Sequence, residues 1–260
     1  MQRVGNRKHN QLRSVSVTYN VFSWAPSSVL LQIGNTKVLC AVSMQNSVPN
    51  FLKGTKTGWL NAEYAMLPTA THSRINRPSA NKKNGRSIEI SRLIGRCLRS
   101  IVDLNKLGER TIVVDCDVLQ ADGSTRVACI TAASLALKSA VSFWISNRDL
   151  AEDILLHDIA AVSVGVMNER VFLDLSFQED SFIDADYNVI LTRDNDIVEI
   201  QGTAERAMVS WQVFEKIRNL ACQGVQDLFK VCDQMNMKAT SKKDKTPLFS
   251  LLNRQKSLNS

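Results

Sequence analysis

The residue types best suited to chemistry occur first in a short turn, Gly123-Ser124-Thr125-Arg126. A β-branched apolar run at 111–114 precedes the turn and a long apolar segment follows it, which predicts a strand, a turn and a helix. Ser124 or Thr125 is a suitable N-cap, and Gly123 removes a side chain that would keep a ligand from the backbone. Free N–H groups, two hydroxyls and the charge of Arg126 would then surround one point. The turn therefore predicts a site for an oxyanion, with phosphate expected; the alternative is an ordinary junction with a solvated arginine.

A second group of reactive side chains is a cluster of acids, Glu179, Asp180, Asp184 and Asp186. If residues 183–191 form a strand, Asp184 and Asp186 lie on the same face of it. Clustered carboxylates repel one another unless they hold protons or a hard cation, and Mg²⁺ is the usual cation beside phosphates. An acidic surface turn is the alternative. Because the same chain also contains a predicted oxyanion turn, we favour a functional carboxylate site over a surface turn.

A side-chain nucleophile is not evident. The three histidines, at 9, 72 and 157, are far apart in sequence, and none adjoins a suitable serine or cysteine. An oxyanion cradle and carboxylates without a nucleophile fit a reaction in which the bound phosphate itself attacks a phosphodiester.

Composition limits the class of protein. The chain has 260 residues, of which 44% are hydrophobic and 22% charged, and its six cysteines include no Cys-x-x-Cys pair. The cysteines are expected to be buried thiols in a reducing compartment, neither a zinc site nor a disulfide framework. No apolar segment of about 18 residues is uninterrupted, and no signal sequence is recognised, so we expect a cytoplasmic protein without a membrane span.

Charge is distributed in blocks. Residues 53–106 contain eleven Lys or Arg and three acids, and residues 149–205 contain fourteen acids and two Arg. The opposed blocks predict a track for a polyanion that leads to a carboxylate-rich centre. The alternative is that each block is a solvated face. Residues 236–260, with six Lys or Arg and one Asp, are expected to be a disordered basic tail.

Hydrophobic periodicity predicts the elements that position these residues. Helices are expected at about 87–102, 127–145 and 209–231, and Arg86 lies where the first of them begins. Arg92, Arg96 and Arg99 share one face of that helix, which fits RNA, solvent or an oligomer contact. The polar segment 69–85 predicts a flexible loop. Strands are expected at 15–22, 28–33, 36–42, 58–67, from 111, 158–167, 171–177, 183–191 and 197–200.

Several longer motifs coincide with one family. They are Gly34-Asn-Thr-Lys-Val-Leu-Cys40, Gly58-Trp-x-x-Ala-Glu-Tyr-x-Met-Leu-Pro68, Gly85-Arg-x-x-Glu-Ile-x-Arg-Leu-Ile94, Asp115-Cys-Asp-Val-Leu-Gln-Ala-Asp-Gly-x-Thr-Arg126, Ala160-Ala-Val-Ser-Val-Gly165, Glu179-Asp-Ser181 and Ile200-Gln-Gly-Thr-Ala-Glu205. Over residues 1–235 the chain resembles the bacterial ribonuclease PH family, phosphorolytic 3′–5′ exoribonucleases that trim the 3′ ends of tRNA and other RNA. The resemblance implies an α+β fold of mixed β-sheets packed with helices, shared with the polynucleotide phosphorylase core and exosome ring subunits. It also implies a homohexamer built as a trimer of dimers.

The resemblance also implies roles for individual residues. Phosphate, the co-substrate, would be bound by Arg86, Ser124, Thr125 and Arg126. Asp180 and Asp186 would be the catalytic aspartates and would hold Mg²⁺. RNA, including tRNA precursors, would contact Arg74, Arg77, Arg92 and Arg99. The chain departs from the family pattern at Ala65, Thr69, Asn84, Ser124 and residues 206–211, which bears on RNA affinity more than on chemistry.

Two other functions remain open at this point. One is a non-catalytic RNA-binding subunit of an exosome-like ring, although an inactive subunit has no need of Arg86, Arg126, Asp180 and Asp186 together. The other is a hydrolytic metal nuclease, which the predicted phosphate cradle disfavours because water requires no such site.

Overall fold

The computed structural model describes residues 3–77 and 84–243, which form two β-sheets and five α-helices. The strands are β1 (Val15–Tyr19), β2 (Ser27–Ile33), β3 (Thr36–Gln45), β4 (Trp59–Met66), β5 (Thr111–Gln120), β6 (Ile159–Met167), β7 (Arg170–Leu173), β8 (Ala185–Thr192) and β9 (Ile197–Ala204). The helices are α1 (Gly85–Arg99), α2 (Leu104–Leu107), α3 (Thr125–Ser146), α4 (Phe177–Asp180) and α5 (Trp211–Lys243). The first sheet has the strand order β1-β2-β3-β5-β4, and the second has the order β7-β6-β8-β9.

The first sheet is antiparallel except for its last pair. β4 and β5 run parallel, with Trp59 opposite Thr111 and Tyr64 opposite Cys116. Parallel neighbours need a crossover connection, and α1 lies in the connection between these two strands. Alternate side chains of β2, β3, β5 and β4 are buried on the face that α1 and α3 cover. Both helices therefore begin near the carboxyl ends of the parallel pair.

α3 lies between the two sheets. It packs against β2, β3 and β5 on one side and against β6 and β8 on the other. Its hydroxyls Thr131 and Ser134 accept hydrogen bonds from the N–H groups of Ala161 and Ile159 in β6, at 3.0 and 3.4 Å. By length and composition α3 could cross a membrane, but 67% of its most apolar stretch is buried inside the protein. Its apolar character is that of a helix buried between two sheets.

α5 covers the face of the second sheet opposite to α3, and it also packs against β1 at the edge of the first sheet. The helix predicted at about 209–231 is confirmed, and its buried apolar face consists of Val213, Ile217, Leu220, Val225 and Leu228. Its predicted end near residue 231 is wrong, because the helix continues to Lys243. Residues 236–243 are therefore helical, whereas the remaining tail residues, 244–260, lie outside the described residues. The Lys and Gln residues beyond 231 are good helix formers, which is consistent with this extension.

Other element boundaries near the candidate site also differ from those predicted. The strand predicted at 171–177 ends at Leu173, because Asp174 has a left-handed φ of 56° and Ser176 begins α4. The sequence carried the signal for this change, since Ser176 and Glu179 form a capping box. β8 begins at Ala185, which leaves Asp184 outside the strand. α1 begins at Gly85 instead of 87 and ends at Arg99 instead of 102.

A buried group of arginines and carboxylates joins the N-terminal segment to the loop before α4. Arg3 donates two hydrogen bonds of 3.0 Å to the Glu179 carboxylate, and Arg7 donates one of 2.9 Å. Arg13 binds both oxygens of Asp174, with its Nε and Nη2 at 3.0 and 2.7 Å. Arg13 also donates to the main-chain carbonyl of Asp122 in the turn before α3. We call these five ionic side chains (Arg3, Arg7, Arg13, Asp174 and Glu179) the N-terminal ion network.

Electrostatics within this network are strongly favourable for the ionised carboxylate of Glu179. Burial alone would raise the pKa of Glu179, but the hydrogen bonds from Arg3 and from the Ser176 N–H, with the charges of Arg3 and Arg7, lower it to about 2. A carboxyl whose folded-state pKa is below its unfolded value stabilises the fold above the unfolded pKa. That contribution is lost as the pH falls towards 2.

Replacing Glu179 with Gln should therefore reduce the free energy of unfolding by about 3–5 kcal/mol at pH 7, because two buried arginines lose their counter-charge. Urea unfolding at pH 7 and at pH 3 measures this effect, and the deficit should shrink at the lower pH. Glu152→Gln is the matched control, because Glu152 pairs with Lys106 at the surface, where such pairs contribute about 0–1 kcal/mol. Equal stability of Glu179→Gln and the parent chain at pH 7 would contradict the importance of the network.

Candidate active site

The predicted phosphate-binding residues lie where α1 and α3 begin. Arg86 is in the first turn of α1, and the Asn84 side chain caps that helix by accepting a hydrogen bond from the Arg86 N–H at 3.1 Å. Thr125 and Arg126 are the first two residues of α3. Because both helices start at the carboxyl ends of β4 and β5, their free N–H groups and the two guanidinium groups lie at the same edge of the sheet.

The turn before α3 packs against the loop that leads into α4. Gly123 has a φ of +78°, and a Cβ atom there would lie 2.6 Å from the Leu175 carbonyl oxygen and 2.7 Å from the Phe177 nitrogen. A residue other than glycine would therefore separate the two segments. This close approach joins the predicted phosphate turn to the helix that carries Asp180.

Ser124 uses its hydroxyl to contact the second half of the chain, and its contact with phosphate stays a prediction. It stands at the N-cap position of α3 with a left-handed φ of 59°, and within the described chain its side chain makes no capping hydrogen bond. Its Oγ donates to the Leu175 carbonyl at 2.8 Å and lies 2.6 Å from the Oγ of Ser163. The hydroxyl of Ser124 thus holds the turn against the second sheet. A phosphate at this turn would meet the backbone of Ser124 instead of its side chain.

Arg126 and Tyr64 present unusual polar atoms at the start of α3. The Nη2 of Arg126 donates to Glu89 at 3.0 Å, whereas its Nε is buried without a hydrogen-bond partner among the residues that the structure describes. The Tyr64 hydroxyl is also buried and has no partner of normal hydrogen-bond geometry in the described residues. Unsatisfied buried donors are rare in folded proteins and commonly indicate a ligand or a functional group. The pair supports an anion site at this helix terminus.

The two predicted catalytic aspartates lie close to this anion site. Partial burial raises the pKa of Asp180, Asp186 and Glu205 raise it further, and Arg86 and Arg126 lower it. The pKa of Asp186 is raised by burial and by Glu205, and is lowered by Arg126. These effects require the aspartates and arginines to lie within electrostatic range of each other. The structure therefore brings Arg86 and Arg126 together with Asp180 and Asp186.

The other two acids of the predicted cluster are used elsewhere. Glu179 belongs to the N-terminal ion network. Asp184 precedes β8 and accepts a hydrogen bond from the Asn168 N–H at 2.8 Å. The expectation that Asp184 and Asp186 share the face of a strand is therefore wrong. Glu205, which follows β9, was not singled out by the sequence as a neighbour of Asp180 and Asp186.

Asp180 and Asp186 are also the residues expected to hold Mg²⁺. Over residues 3–77 and 84–243, no group of three or more His, Cys, Asp or Glu side chains is arranged to hold a metal ion. Mg²⁺ is often held by one or two carboxylates together with substrate phosphates and water. Asp180 and Asp186, which repel each other, fit that smaller donor set.

The predicted RNA-binding arginines separate into two groups. Arg74, Arg77 and Arg92 are exposed. Arg99 is half-buried, donates to the Leu60 carbonyl at 3.0 Å and lies over the Trp59 ring at 4.7 Å. The described contacts of Arg99 are structural, and its contact with RNA stays a prediction. Arg96, on the same helix, pairs with Glu199 of β9 at 2.6 Å.

Exposed aromatic side chains beside the aspartates were missed in the sequence. Phe177 and Phe182, on either side of Asp180, are 53% and 62% exposed. The ring of His72 lies 5.5 Å from that of Phe177. The sequence does contain a signal for them, because a phenylalanine lies on each side of the Glu179-Asp180 pair. Residues 78–83, which belong to the predicted flexible loop, lie outside the described residues.

Solved structures share this architecture. A chain of the Archaeoglobus fulgidus exosome, described as having RNA bound to the active site, is 24% identical with a TM-score of 0.75, over 88% of this chain and 92% of that one. Rrp46 from rice (Oryza sativa) is 19% identical with a TM-score of 0.72, over 91% and 100% of the two chains. A chain of an archaeal exosome core is 24% identical with a TM-score of 0.69, over 87% and 89%. These likenesses show an α+β fold of the kind found in exosome cores.

The family follows from the sequence match. The model of domain 1 of the 3′ exoribonuclease family, RNase PH, matches residues 11–142, and the model of domain 2 matches residues 157–224. The chain belongs to the RNase PH family of 3′ exoribonucleases, and its two sheets with their helices are the fold of that family. The resemblance found in the sequence is thereby confirmed.

The raised pKa of Asp186 predicts that its ionised carboxylate destabilises the folded protein. An acid with a folded-state pKa above its unfolded value destabilises the fold when it is ionised, and this cost disappears as the pH falls through the raised pKa. Asp186→Asn should therefore raise Tm at neutral pH by up to about 4 °C, and the gain should vanish in acid. Thermal unfolding at several pH values measures it, with Asp227→Asn as a control at a surface ion pair. A lower Tm at neutral pH would mean that the Asp186 carboxylate is stabilised by its surroundings.

Proposed function

We propose that this protein is a phosphorolytic 3′–5′ exoribonuclease that transfers the terminal nucleotide of RNA to inorganic phosphate. The observation that supports this most directly is the proximity of Arg86 and Arg126 to Asp180 and Asp186. An oxyanion site beside carboxylates of raised pKa provides both groups that this reaction needs. The products are a nucleoside diphosphate and an RNA shortened by one nucleotide.

The proposed reaction assigns a task to each part of the site. Arg86, Thr125, Arg126 and the backbone N–H groups of the turn hold phosphate, so that one of its oxygens is in line with the terminal phosphodiester. That oxygen bonds to the phosphorus atom as the bond from phosphorus to the 3′-oxygen of the preceding nucleotide breaks. Asp186 gives a proton to this 3′-oxygen or holds the cation that stabilises it. Partial burial and Glu205 raise the pKa of Asp186 above its ordinary value, which is the direction that favours proton donation.

Mg²⁺ is the cofactor that we propose for this site, held by Asp180 and Asp186. When bound, it would neutralise charge on the reacting phosphates. Arg86 and Arg126, whose charges already lower the pKa of Asp180, would supply part of this neutralisation from the chain itself.

RNA is the proposed substrate, with tRNA precursors included, and a homohexameric ring built as a trimer of dimers is the proposed assembly. Arg74, Arg77 and Arg92 are exposed and would attract the RNA backbone. His72 and Phe177 offer aromatic faces beside the aspartates, on which unpaired bases could stack. The combination favours a single-stranded 3′ end over a duplex. The cytoplasm is the proposed location.

The rival function is RNA binding without cleavage, as one subunit of an exosome-like ring. Two observations favour it: the Ser124 hydroxyl is occupied by Leu175 and Ser163, and Arg126 pairs with Glu89. Neither is decisive, because the backbone of the turn is still available to an anion and a surface ion pair of this kind is weak.

The proposed reaction should be reversible, because phosphorolysis conserves the energy of the phosphodiester. RNA with a free 3′-hydroxyl should shorten one nucleotide at a time in phosphate buffer and release nucleoside diphosphates. With nucleoside diphosphates in excess and phosphate removed, the same protein should lengthen that RNA. A chelator should stop both directions if Mg²⁺ is required. Gel analysis of end-labelled RNA and chromatography of the released nucleotides measure both directions.

The outcomes separate the candidate functions. Nucleoside monophosphates formed without phosphate would indicate hydrolysis and would contradict the proposal. RNA binding with neither shortening nor lengthening would favour the rival function.

Substitutions should separate phosphate binding from chemistry. Arg126→Ala should raise the KM for phosphate by about ten- to hundredfold, because a charge-assisted contact is lost. Asp186→Asn should reduce the rate at saturating phosphate by at least about a hundredfold while RNA still binds. Arg110→Ala, remote from the aspartates and bound to the carbonyls of Leu107 and Asp149, is the control for Arg126→Ala. Near-parental turnover of Asp186→Asn would show that this carboxylate is not catalytic.

A further inference from the structure

Tyr64 is a buried core residue with one polar atom that the fold does not use. It lies on β4, opposite Cys116 of β5, and is 5% exposed. Its ring belongs to the apolar cluster between the first sheet and α3. Its hydroxyl has no hydrogen-bond partner of normal geometry among the described residues. A buried, unpaired hydroxyl destabilises the fold relative to a paired one, so phenylalanine would fill this position at lower cost.

The surroundings of this hydroxyl connect it to the anion site. Burial and, less strongly, Cys129 raise the pKa of Tyr64 to about 12, although the Thr125 side chain and the charges of Arg86 and Arg126 act to lower it. The hydroxyl therefore lies beside the first residue of α3 and within range of both predicted phosphate-binding arginines. At neutral pH it remains protonated, so it can act as a hydrogen-bond donor but not as a base.

We propose that Tyr64 is a positioning residue of the phosphate site, whose unpaired hydroxyl donates a hydrogen bond to Oγ1 of Thr125 when an anion is bound at the start of α3. This inference rests on the phosphate site of the proposed function. A threonine hydroxyl has one proton and can also accept. When Tyr64 occupies an acceptor position of Thr125, the proton of Thr125 is directed away from the protein core and towards the anion at the start of α3.

Direct contact between Tyr64 and the anion is the less suitable arrangement. The hydroxyl is covered, and Thr125, itself 6% exposed, is its polar neighbour at the helix terminus. An anion bound to the N–H groups of the first turn would meet the side chain of Thr125 first. Tyr64 then contributes by fixing one of about three staggered positions of the Thr125 hydroxyl proton, which by itself corresponds to about a threefold gain in phosphate affinity.

Tyr64→Phe tests the inference without leaving a cavity. Calorimetric titration of the full-length protein with inorganic phosphate should show affinity about three- to tenfold weaker than that of the parent chain. The KM for phosphate should rise by the same factor, whereas the KM for RNA and the rate at saturating phosphate should not change. Tyr19→Phe, the same chemical change on β1, should leave phosphate binding unaltered.

A double-substitution cycle identifies the route of the effect. Thr125→Val should weaken phosphate binding by about ten- to hundredfold, and adding Tyr64→Phe to it should cause no further loss. Losses that multiply would overturn the inference, because Tyr64 would then act independently of Thr125. Unchanged phosphate affinity in Tyr64→Phe would also overturn it.

Failure of the proposed function gives a different result. A parent chain that neither binds phosphate nor shortens RNA in its presence would contradict the phosphate site itself. The inference about Tyr64 would then also be wrong. If the parent chain binds phosphate, a change in affinity in Tyr64→Phe concerns the role of Tyr64 alone. Thermal unfolding of Tyr64→Phe completes the comparison, since a large fall in Tm with normal phosphate affinity would assign the hydroxyl a purely structural role.

Discussion

The N-terminal ion network is the interaction on which the geometry of the candidate active site depends. Arg3 and Arg7 hold Glu179, the residue next to Asp180, and Arg13 joins Asp174 to the turn that precedes α3. Short elements such as the four-residue α4 are not stable on their own, because so few hydrogen bonds cannot offset the cost of ordering the backbone. The ionic contacts supply the missing stabilisation. The position of Asp180 therefore depends on arginines more than 170 positions earlier in the sequence as well as on the short helix in which it lies.

The two halves of the site also stabilise each other's charges. Arg86 and Arg126 come from helices that begin beside the first sheet, whereas Asp180 and Asp186 belong to α4 and β8 of the second half of the chain. Each aspartate has a raised pKa, which Arg86 and Arg126 oppose at Asp180 and Arg126 alone opposes at Asp186. Without the other half, the like charges within each half would repel one another with no opposite charge nearby. The close packing of Gly123 on the loop at Leu175 keeps these opposite charges at a short distance.

Most helices and strands could be predicted from the sequence, because apolar residues recur at the helical or strand period wherever one face of an element is buried. Ile90, Ile94, Cys97 and Leu98 are buried on α1 as expected, and the hairpin at Gly34 joins β2 to β3. The four-acid cluster was predicted less well. Proximity in sequence could not show that Glu179 faces the N-terminus, because its partners are more than 170 positions away. Tyr64 was read only as part of a motif, because an orphaned hydroxyl is visible only when its neighbours are known.

The order in which the chain is synthesised gives the layered arrangement a further meaning. Domains fold in the direction of translation, from the N-terminus onwards. The elements that carry Arg86 and Arg126 are complete once α3 has been made, but α4 and β8 follow only after β6 and β7. Arg3 and Arg7, which are synthesised before Glu179, must wait for it before their charges are neutralised. A nascent chain thus carries exposed positive charge near messenger RNA while it still lacks both aspartates, so it can attract RNA before it has the carboxylates of the complete site.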